Sequence, residues 1–344
     1  MVATLQGYTS FEFQQSSIRE LWNSQMVTGK ASPTLPHVLV TGGAGFIGSH
    51  LVDVLLAANH YVCTVDNLSY GKRQFLPVDN PNLRFVQSDI LDFDKLLKLF
   101  SDFRPSLVYH LAAISHIPTC ESYPLNALRV NVEGTQSTLT AASMTTGVQR
   151  VVFASSGAVY DILDEPLTED SPVVPHDVYG ASKVAGEQLV RINAEKTGLQ
   201  SIVARIFNTV GTRESNAHLV PDILAQVIRG ERCIRLGNLK SRRSFIHVKD
   251  VAEALFALGK ANLDSGYEVL NVGIEQDYSA EEVVAQLSEL LGYQLLAVRE
   301  EEKVRKIDRP TQKAAIREIW DKIGWRPQRS LTLALRDVLE EAGL

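Results

Sequence analysis

Cysteine is scarce in this chain of 344 residues, and the three that occur, Cys63, Cys120 and Cys233, are scattered and form no CxxC pair. Such a set predicts neither a disulfide framework nor a metal site, and it suits a reducing compartment. No uninterrupted apolar run reaches the roughly 20 residues that cross a bilayer. The first twenty residues also lack the basic stretch and apolar core of a secretory signal. We therefore expect a cytoplasmic protein without a membrane span.

Positive charge is also limited, since 34 Lys and Arg residues stand against 40 Asp and Glu residues, a formal net charge of −6. This balance argues against a nucleic-acid-binding protein. Apolar residues make up 45% and charged residues 22% of the chain, which is typical of a globular protein. The length allows one large domain or two ordinary ones.

From residue 37 onward, short apolar segments alternate with segments of helical periodicity. The apolar segments are continuous, which is typical of strands in a parallel sheet that helices cover on both faces. Before residue 37, the apolar spacing allows a short amphipathic helix followed by a linker. The predicted strands are "HVLV", "YVCTV", "LRFVQ", "LVYHL", "RVVFA", "SIVARI" and "YEVLNV", and the predicted helices cover 48–58, 94–102, 125–146 and 178–198.

Three glycines, Gly42, Gly45 and Gly48, lie between the first predicted strand and a helix that begins near Phe46. Glycine permits a tight turn, the close approach of a pyrophosphate and close packing of helix on strand. The helix N-terminus offers free N–H groups to an anion. The spacing therefore predicts a dinucleotide site.

Two carboxylates follow the next strands. Asp66 ends the second strand 18 residues after Gly48, where it can accept hydrogen bonds from a ribose diol and would repel a 2′-phosphate. This favours NAD over NADP. Asp89, at the end of the third strand, is interpreted either as a contact to the adenine amino group or as a helix N-cap.

Tyr179 and Lys183 lie four residues apart and therefore on one helical face. A nearby ammonium and a positive nicotinamide would favour the phenolate of Tyr179, which could then take a proton from a sugar hydroxyl. Ser155 and Ser156 end the fifth strand at the carboxyl edge of the sheet, where open α/β folds bind ligands. Ser156 could donate a hydrogen bond to the same oxygen.

These stretches resemble the extended short-chain dehydrogenase/reductase family, in particular its NAD-dependent nucleotide-sugar epimerases and dehydratases. The resemblance covers most of residues 37–344. It rests on "TGGAGFIG", "DNLSYGK", "HLAA", "ASSGAVY", "YGASK", "RIFNTVGTR", "RRSFIHVKD" and "IGW". It implies a Rossmann-type, doubly wound parallel sheet over 37–205 and about 245–275. It also implies a smaller C-terminal α/β substrate-binding domain over 206–244 and 276–344, with residues 1–36 as an N-terminal extension.

The resemblance also implies residue roles. Ser156, Tyr179 and Lys183 match the catalytic triad, and Lys183 also matches a contact to the nicotinamide ribose. The implied NAD contacts are Gly42, Gly45, Phe46, Ile47, Gly48, Asp66, Asn67, Asp89, Ile90, Leu111, Ala112, Ala113, Asn131, Tyr179 and Lys183. The implied substrate contacts are His116, Ser156, Asn208, Leu219, Val220, Arg243 and Arg309, with the arginines suited to a diphosphate.

Gly157 and Ala158 stand where related 4,6-dehydratases carry acidic residues, and related decarboxylases usually keep a Glu at the position of Ala158. We therefore expect 4-epimerisation of a UDP-hexose or UDP-N-acetylhexosamine through a transient 4-keto sugar. Three alternatives remain open. The first is a 4,6- or 5,6-dehydratase that uses His116 or Cys120, the second a dehydrogenase that releases NADH, and the third a non-catalytic NAD-binding protein.

Apolar stripes on the helices at 125–146 and 178–198 include Leu125, Leu128, Val132 and Leu139. Members of the resembling family commonly pair these helices in a four-helix bundle. We therefore expect a homodimer, with packing of the stripes against the sheet as the alternative.

Overall fold

The computed structural model describes residues 36–304 and 309–344. The helix and linker expected before residue 37 lie outside these residues, apart from Pro36. None of the described helices combines the length and the apolar character needed to cross a membrane.

A seven-stranded sheet forms the centre of the fold, and all of its paired strands are parallel. The predicted strands match its members closely, because the five inner strands are largely apolar and almost fully buried, while the two edge strands are only partly buried. In spatial order the sheet contains β11 (Tyr267–Val272), β6 (Gln200–Ile206), β5 (Arg150–Ser156), β4 (Leu107–His110), β1 (His37–Thr41), β2 (Tyr61–Asp66) and β3 (Leu83–Gln87). The fold is thus a Rossmann-like α/β fold, as predicted.

Helices cover both faces of this sheet. One face packs against α1 (Phe46–Ala57) and α8 (Val248–Lys260), and its core contains Leu51 and Leu255. The opposite face packs against α2 (Phe93–Phe103), α5 (Gly134–Met144) and α6 (Val178–Thr197).

The helix predicted over 125–146 is observed, since the backbone is helical without a gap from Pro124 to Met144, but it contains one wider turn. α4 (Pro124–Leu128), a π-helical turn at Arg129–Glu133 and α5 follow one another directly, and a short helix, α3 (Ile117–Ser122), precedes them. Inside the π turn, the Asn131 amide accepts a hydrogen bond from the Ile114 N–H at 2.8 Å and donates one to the Ile114 carbonyl at 2.9 Å. These bonds fix a wider turn than an α-helix, a form that is rare and often found at functional sites.

The remaining elements pack around a second apolar core that includes Ile223, Val283 and Leu335. Its helices are α7 (Leu219–Ile228), α9 (Ala280–Leu291) and α11 (Leu331–Ala342), while α10 (Arg317–Ile323) packs beside β11. Small sheets accompany them: β7 (Thr209–Val210) with β10 (Ile246–His247), β8 (Cys233–Leu236) with β13 (Leu296–Arg299), and β9 (Arg242–Arg243) between β12 (Tyr278–Ser279) and β14 (Thr311–Gln312).

Candidate active site

A cavity of about 1100 Å³ extends across the carboxyl ends of the parallel strands. Open α/β sheets bind their ligands at this edge. Among the described residues, the lining includes every predicted cofactor and substrate residue except Asn131 and His116. These are Gly42, Gly45, Phe46, Ile47, Gly48, Asp66, Asn67, Asp89, Ile90, Leu111, Ala112, Ala113, Ser156, Tyr179, Lys183, Asn208, Leu219, Val220, Arg243 and Arg309.

The surroundings that a Cβ would meet differ among the three glycines of the first turn. Gly42 has φ +71°, and a Cβ there would lie 2.7 Å from the backbone nitrogen of Ala112. A Cβ on Gly48 would lie 2.1 Å from the Gly42 oxygen, so close packing of α1 on the turn requires glycine. At Gly45, the N-cap of α1, a Cβ would meet only the Gly42 oxygen, at 3.2 Å. A methyl group would fit at Gly45 only if that oxygen moved by a few tenths of an ångström, and the absence of a side chain suits the close approach of a pyrophosphate to the helix N-terminus.

Asp66 is held by backbone donors at the end of β2. Its Oδ2 accepts from the Ala44 N–H at 3.0 Å, and its Oδ1 accepts from the Leu68 N–H at 2.8 Å. Leu68 adopts φ +62°, a left-handed conformation that is strained for leucine and is seen mostly near functional sites. Burial raises the pKa of Asp66, and the two backbone bonds oppose that effect. The carboxylate is thus fixed in direction at the cavity wall.

Asp89 is joined to Asn67, whose Nδ2 donates to Asp89 Oδ2 at 2.9 Å. The Oδ1 of Asp89 accepts from the Leu91 N–H at 2.9 Å. The alternative interpretation of Asp89 as a helix N-cap is wrong, because Asp92 caps α2 by accepting from the Lys95 N–H. Asp89 therefore remains at the cavity wall.

Tyr179, Ser156 and Lys183 meet where α6 passes the end of β5. Tyr179 and Ser156 share a side-chain hydrogen bond, and Ser156 Oγ also accepts from the Ala158 N–H at 3.1 Å. Lys183 Nζ donates to the Ala154 carbonyl at 2.8 Å and lies 5.8 Å from the centre of the Tyr179 ring. The predicted helical spacing and strand end thus bring these three side chains together.

The electrostatics of this group differ from the expectation. Burial lowers the pKa of Lys183 to about 8. Burial also raises the pKa of Tyr179 above its ordinary value, while the hydrogen bond from Ser156 opposes the rise. The ammonium of Lys183 is directed at a backbone carbonyl and not at the phenol oxygen, so its effect on Tyr179 is weaker than predicted. In the protein alone, Tyr179 is therefore held as the phenol.

Two arginines reach the cavity from the C-terminal part of the chain. Arg309 is 9% exposed, and its two terminal nitrogens donate to the carbonyls of Asp161 and Ala158, both at 3.1 Å. Arg243 Nη1 donates to the carbonyls of Arg242 and Arg309 at 2.8 Å. A guanidinium offers five N–H donors in a planar fork, which suits both side chains to an anion. Asn208, Leu219 and Val220 complete this part of the lining.

His116 lies beside the cavity and not among its lining residues. Its Nδ1 is hydrogen-bonded to Thr119 Oγ1 at 2.9 Å, and its ring centre lies 5.7 Å from that of His218. Asn131 is 1% exposed, and its amide is occupied by Ile114 and by the Ser182 hydroxyl. In this structure, Asn131 supports the loop after β4 from behind.

Sequence reasoning missed several polar side chains of the lining. Glu214 is almost fully buried, burial raises its pKa, and it bonds to Nδ1 of His218. The spacing of four residues between Glu214 and His218 is visible in the sequence, but no helical pattern covers that segment. Glu121 and Asp177 also line the cavity, and they accept from the N–H groups of Val178 and Gly180 at the start of α6.

Comparisons with known proteins agree with this fold. Residues 38–273 match the NAD dependent epimerase/dehydratase family. The UDP-glucose 4-epimerase of Azospirillum brasilense is 33% identical over 320 residues, which cover 85% of this chain and 88% of the relative. The UDP-glucose 4-epimerase of Thermus thermophilus, solved in complex with NAD, has a TM-score of 0.80 at 30% identity and covers 88% of this chain and 98% of its own.

A further solved structure is the UDP-N-acetylglucosamine 4-epimerase of Methanobrevibacter ruminantium in complex with UDP-N-acetylmuramic acid. It has a TM-score of 0.81 at 28% identity and covers 90% of this chain and 100% of its own. The chain belongs to the NAD dependent epimerase/dehydratase family. The prediction of an NAD-dependent epimerase, an enzyme of the isomerase class with NAD as its cofactor, is confirmed.

Proposed function

We propose that this enzyme inverts C4 of a UDP-hexose or a UDP-N-acetylhexosamine. The observation that carries the proposal is the lining around Tyr179. The Tyr179 phenol, the Ser156 hydroxyl and the Lys183 ammonium face the cavity there. Gly157 and Ala158, which follow Ser156 in the chain, have no side-chain proton to give. Oxidation and reduction at one sugar carbon need only the phenol, the hydroxyl and the ammonium. The named relatives, which include 4-epimerases of two different UDP-sugars, support the same reaction.

NAD, when bound, would supply reversible hydride transfer at the sugar carbon. The residues that would hold it are Gly45 at the N-terminus of α1, and Asp66, whose fixed carboxylate suits a ribose diol. The phenolate of Tyr179, which a positive nicotinamide would favour, takes the proton of the C4 hydroxyl and gives it back after the sugar ring has turned over. Ser156 hydrogen-bonds Tyr179 and can reach the same sugar oxygen. Arg243 and Arg309 suit the diphosphate of the nucleotide.

A dehydratase needs an additional acid and base, and the two residues predicted for that role, His116 and Cys120, both lie outside the described lining of the cavity. Burial raises the pKa of Cys120 to about 11, and its thiol donates to the Ile114 carbonyl at 3.4 Å. The carboxylates of Glu121 and Asp177 are engaged as caps of α6. Loss of water is therefore the less supported reaction.

The first experiment incubates the protein with UDP-, GDP- and dTDP-linked hexoses and N-acetylhexosamines and identifies the products by NMR. We expect a mixture of two C4 epimers of a UDP-sugar without added reductant. Tyr179→Phe should lower kcat by a factor on the order of 10² to 10⁴, since it removes the acid–base group. Tyr61→Phe, a control at the start of β2 outside the cavity lining, should keep full activity. A product lighter by one water, or normal turnover in Tyr179→Phe, would refute the assignment.

We also propose that the enzyme is a homodimer. Tyr123, Leu125 and Leu128, on and beside α4, are 66%, 83% and 38% exposed, and α4 packs against α6. Leu139 of the predicted stripe is instead fully buried against the sheet. Leu125→Arg should convert a dimer into a monomer in light scattering. An unchanged mass would place any dimer contact elsewhere.

A cytoplasmic location is proposed as well. Cys63, Cys120 and Cys233 are all free thiols, as a reducing compartment would keep them. Fractionation of cells that express the chain would test it, and recovery in an oxidising compartment would refute it.

A further inference from the structure

A buried ion pair lies directly behind the catalytic group. Glu187 of α6 and Arg205 of β6 are 2% and 5% exposed. The Nε and Nη2 atoms of Arg205 donate to the two carboxylate oxygens of Glu187 at 3.0 and 2.8 Å. Neither residue belongs to the described lining of the cavity, so the pair does not contact the ligand. A buried ion pair is weak evidence for stability and raises the question of another role.

The pair is bonded to the end of β5. The Ser155 hydroxyl donates to Glu187 Oε1 at 2.5 Å. Ser155 stands between Ala154, whose carbonyl accepts the Lys183 ammonium, and Ser156, which bonds Tyr179. The contact with Glu187 therefore fixes the strand segment that supplies both of these bonds.

The pair is also aligned with the catalytic residues of α6. Tyr179, Lys183 and Glu187 follow one another at intervals of four residues, so they share one face of the helix. Glu187 acts on Lys183 by raising its pKa, against the burial that lowers it. The guanidinium of Arg205 also lies 4.7 Å from the ring centre of Tyr160 and donates to the Glu169 carbonyl at 3.2 Å. These contacts fix Arg205 and, through it, the carboxylate of Glu187.

The other ionisable groups that face Lys183 or Glu187 come from several elements. They are Tyr179 on α6, Cys120 on α3, His110 on β4, Arg205 on β6 and Tyr267 on β11. Burial lowers the pKa of His110 to about 3, so this ring is neutral. Burial raises the pKa of Cys120 to about 11 and that of Tyr267 to about 12, so both keep their protons near pH 8. Of these groups, Glu187 supplies the negative charge.

We propose that Glu187 and Arg205 are positioning residues for the reaction: the carboxylate keeps the Lys183 side chain an ammonium and, through Ser155, fixes the end of β5 that carries Ser156. Arg205 holds Glu187 in the orientation that both tasks need. This inference rests on the proposed function for its kinetic consequences, but not for the ionisation of Lys183.

The test compares Glu187→Gln with the wild type, both with bound NAD. The amide keeps an oxygen for Ser155 and removes only the charge. The titration of Lys183 is followed by NMR on ¹³C-lysine-labelled protein, with its signal assigned from Lys183→Arg. We expect Lys183 to titrate about one pH unit lower in Glu187→Gln. The kcat of epimerisation should then fall about eightfold at pH 8.5 and less than twofold at pH 6.5, as that shift in protonation requires.

A matched control is Asp250→Asn, which breaks another buried ion pair. Asp250 on α8 is 0% exposed, bonds Arg329 at 2.5 Å and lies outside the described cavity lining. It should lower thermal stability without moving the titration of Lys183 or the pH profile. Ser155→Ala tests the contact to the strand and should lower kcat at every pH with the Lys183 titration unchanged.

If Glu187→Gln does not fold, the double variant Glu187→Gln/Arg205→Gln replaces it, because two amides leave no unpaired charge in the core. An unchanged Lys183 titration in the variant measured would overturn the inference, even if the wild type epimerises sugars. So would an equal loss of kcat at all pH values. If the wild type epimerises no sugar while Lys183 shifts as expected, the proposed function fails and the effect of Glu187 on Lys183 stands.

Discussion

Replacing Lys183 with methionine should make the folded protein more stable at neutral pH while it removes activity. Lys183 is 3% exposed, and its burial lowers its pKa from 10.5 to about 8. At about 1.4 kcal/mol for each tenfold change in proton affinity, keeping the ammonium in the fold costs about 3 kcal/mol. Methionine has a similar length and no charge. The variant should therefore unfold about 5 °C higher than the wild type at pH 7.

The sign of the pH dependence follows from the same pKa. Because the folded-state pKa of Lys183 lies below the unfolded value, the unfolded chain binds the additional proton between about pH 8 and pH 10.5. Wild-type stability therefore gains from this group as pH rises through that range. The advantage of Lys183→Met should be full below pH 8 and smaller at about pH 9.5.

Calorimetric unfolding at about pH 7 and pH 9.5 measures both effects of this substitution. Lys98→Met on α2 is the control, since Lys98 is exposed and its ion pair with Asp102, four residues on, lies on the helix surface. It should change stability by less than about 0.5 kcal/mol. If Lys183→Met is less stable than the wild type at pH 7, or differs from it equally at both pH values, the buried ammonium does not carry the penalty assigned to it.

Two further predictions concern the cavity. Gly45→Ala should fold with only a small loss of stability, because its Cβ would require one backbone oxygen at 3.2 Å to move by a few tenths of an ångström, yet bind NAD at least tenfold more weakly in calorimetry. Gly48→Ala should instead destabilise the fold by about 1–3 kcal/mol, since its Cβ would lie 2.1 Å from a backbone oxygen. An unchanged NAD affinity in Gly45→Ala, or an unchanged Tm in Gly48→Ala, would contradict these assignments. Cys120→Ala should keep kcat within about threefold, whereas a hundredfold loss would make the thiol a proton donor in the reaction.

Much of the sheet and of α6 could be predicted because their signals are local. The strand "LRFVQ" is observed over the same residues, Leu83–Gln87. The helix predicted over 178–198 runs from Val178 to Thr197, since Asp177 caps its N-terminus and Gly198, at φ +73°, ends it. Glycine spacing and strand ends likewise predicted that Gly42, Gly45, Gly48, Asp66 and Asp89 lie at one edge of the sheet, where they line the cavity. The domain boundaries and the roles of individual site residues stay predictions.

The rest depends on tertiary contacts that no local pattern carries. The π turn at Arg129–Glu133 follows from bonds between Asn131 and a loop 17 residues away. Strands of two residues, such as β7 and β9, are too short for any periodicity. The direction of the Lys183 ammonium, toward the Ala154 carbonyl, could not be read from its spacing to Tyr179.

Asp177, at the start of α6, has two opposing effects, one on the helix and one on Tyr179. Its Oδ1 accepts from the Gly180 N–H at 2.7 Å and so caps the helix, but its charge raises the pKa of Tyr179. Asparagine caps helices as well as aspartate does and carries no charge. Asp177→Asn should therefore keep the Tm of the wild type, while the rise of kcat/KM with pH, which follows loss of the Tyr179 proton, moves to lower pH. Asp177→Ala should lose the cap and about 1 kcal/mol of stability. If the pH profiles of Asp177→Asn and the wild type coincide, Asp177 serves the helix alone, and the proton affinity of Tyr179 is set by burial and Ser156.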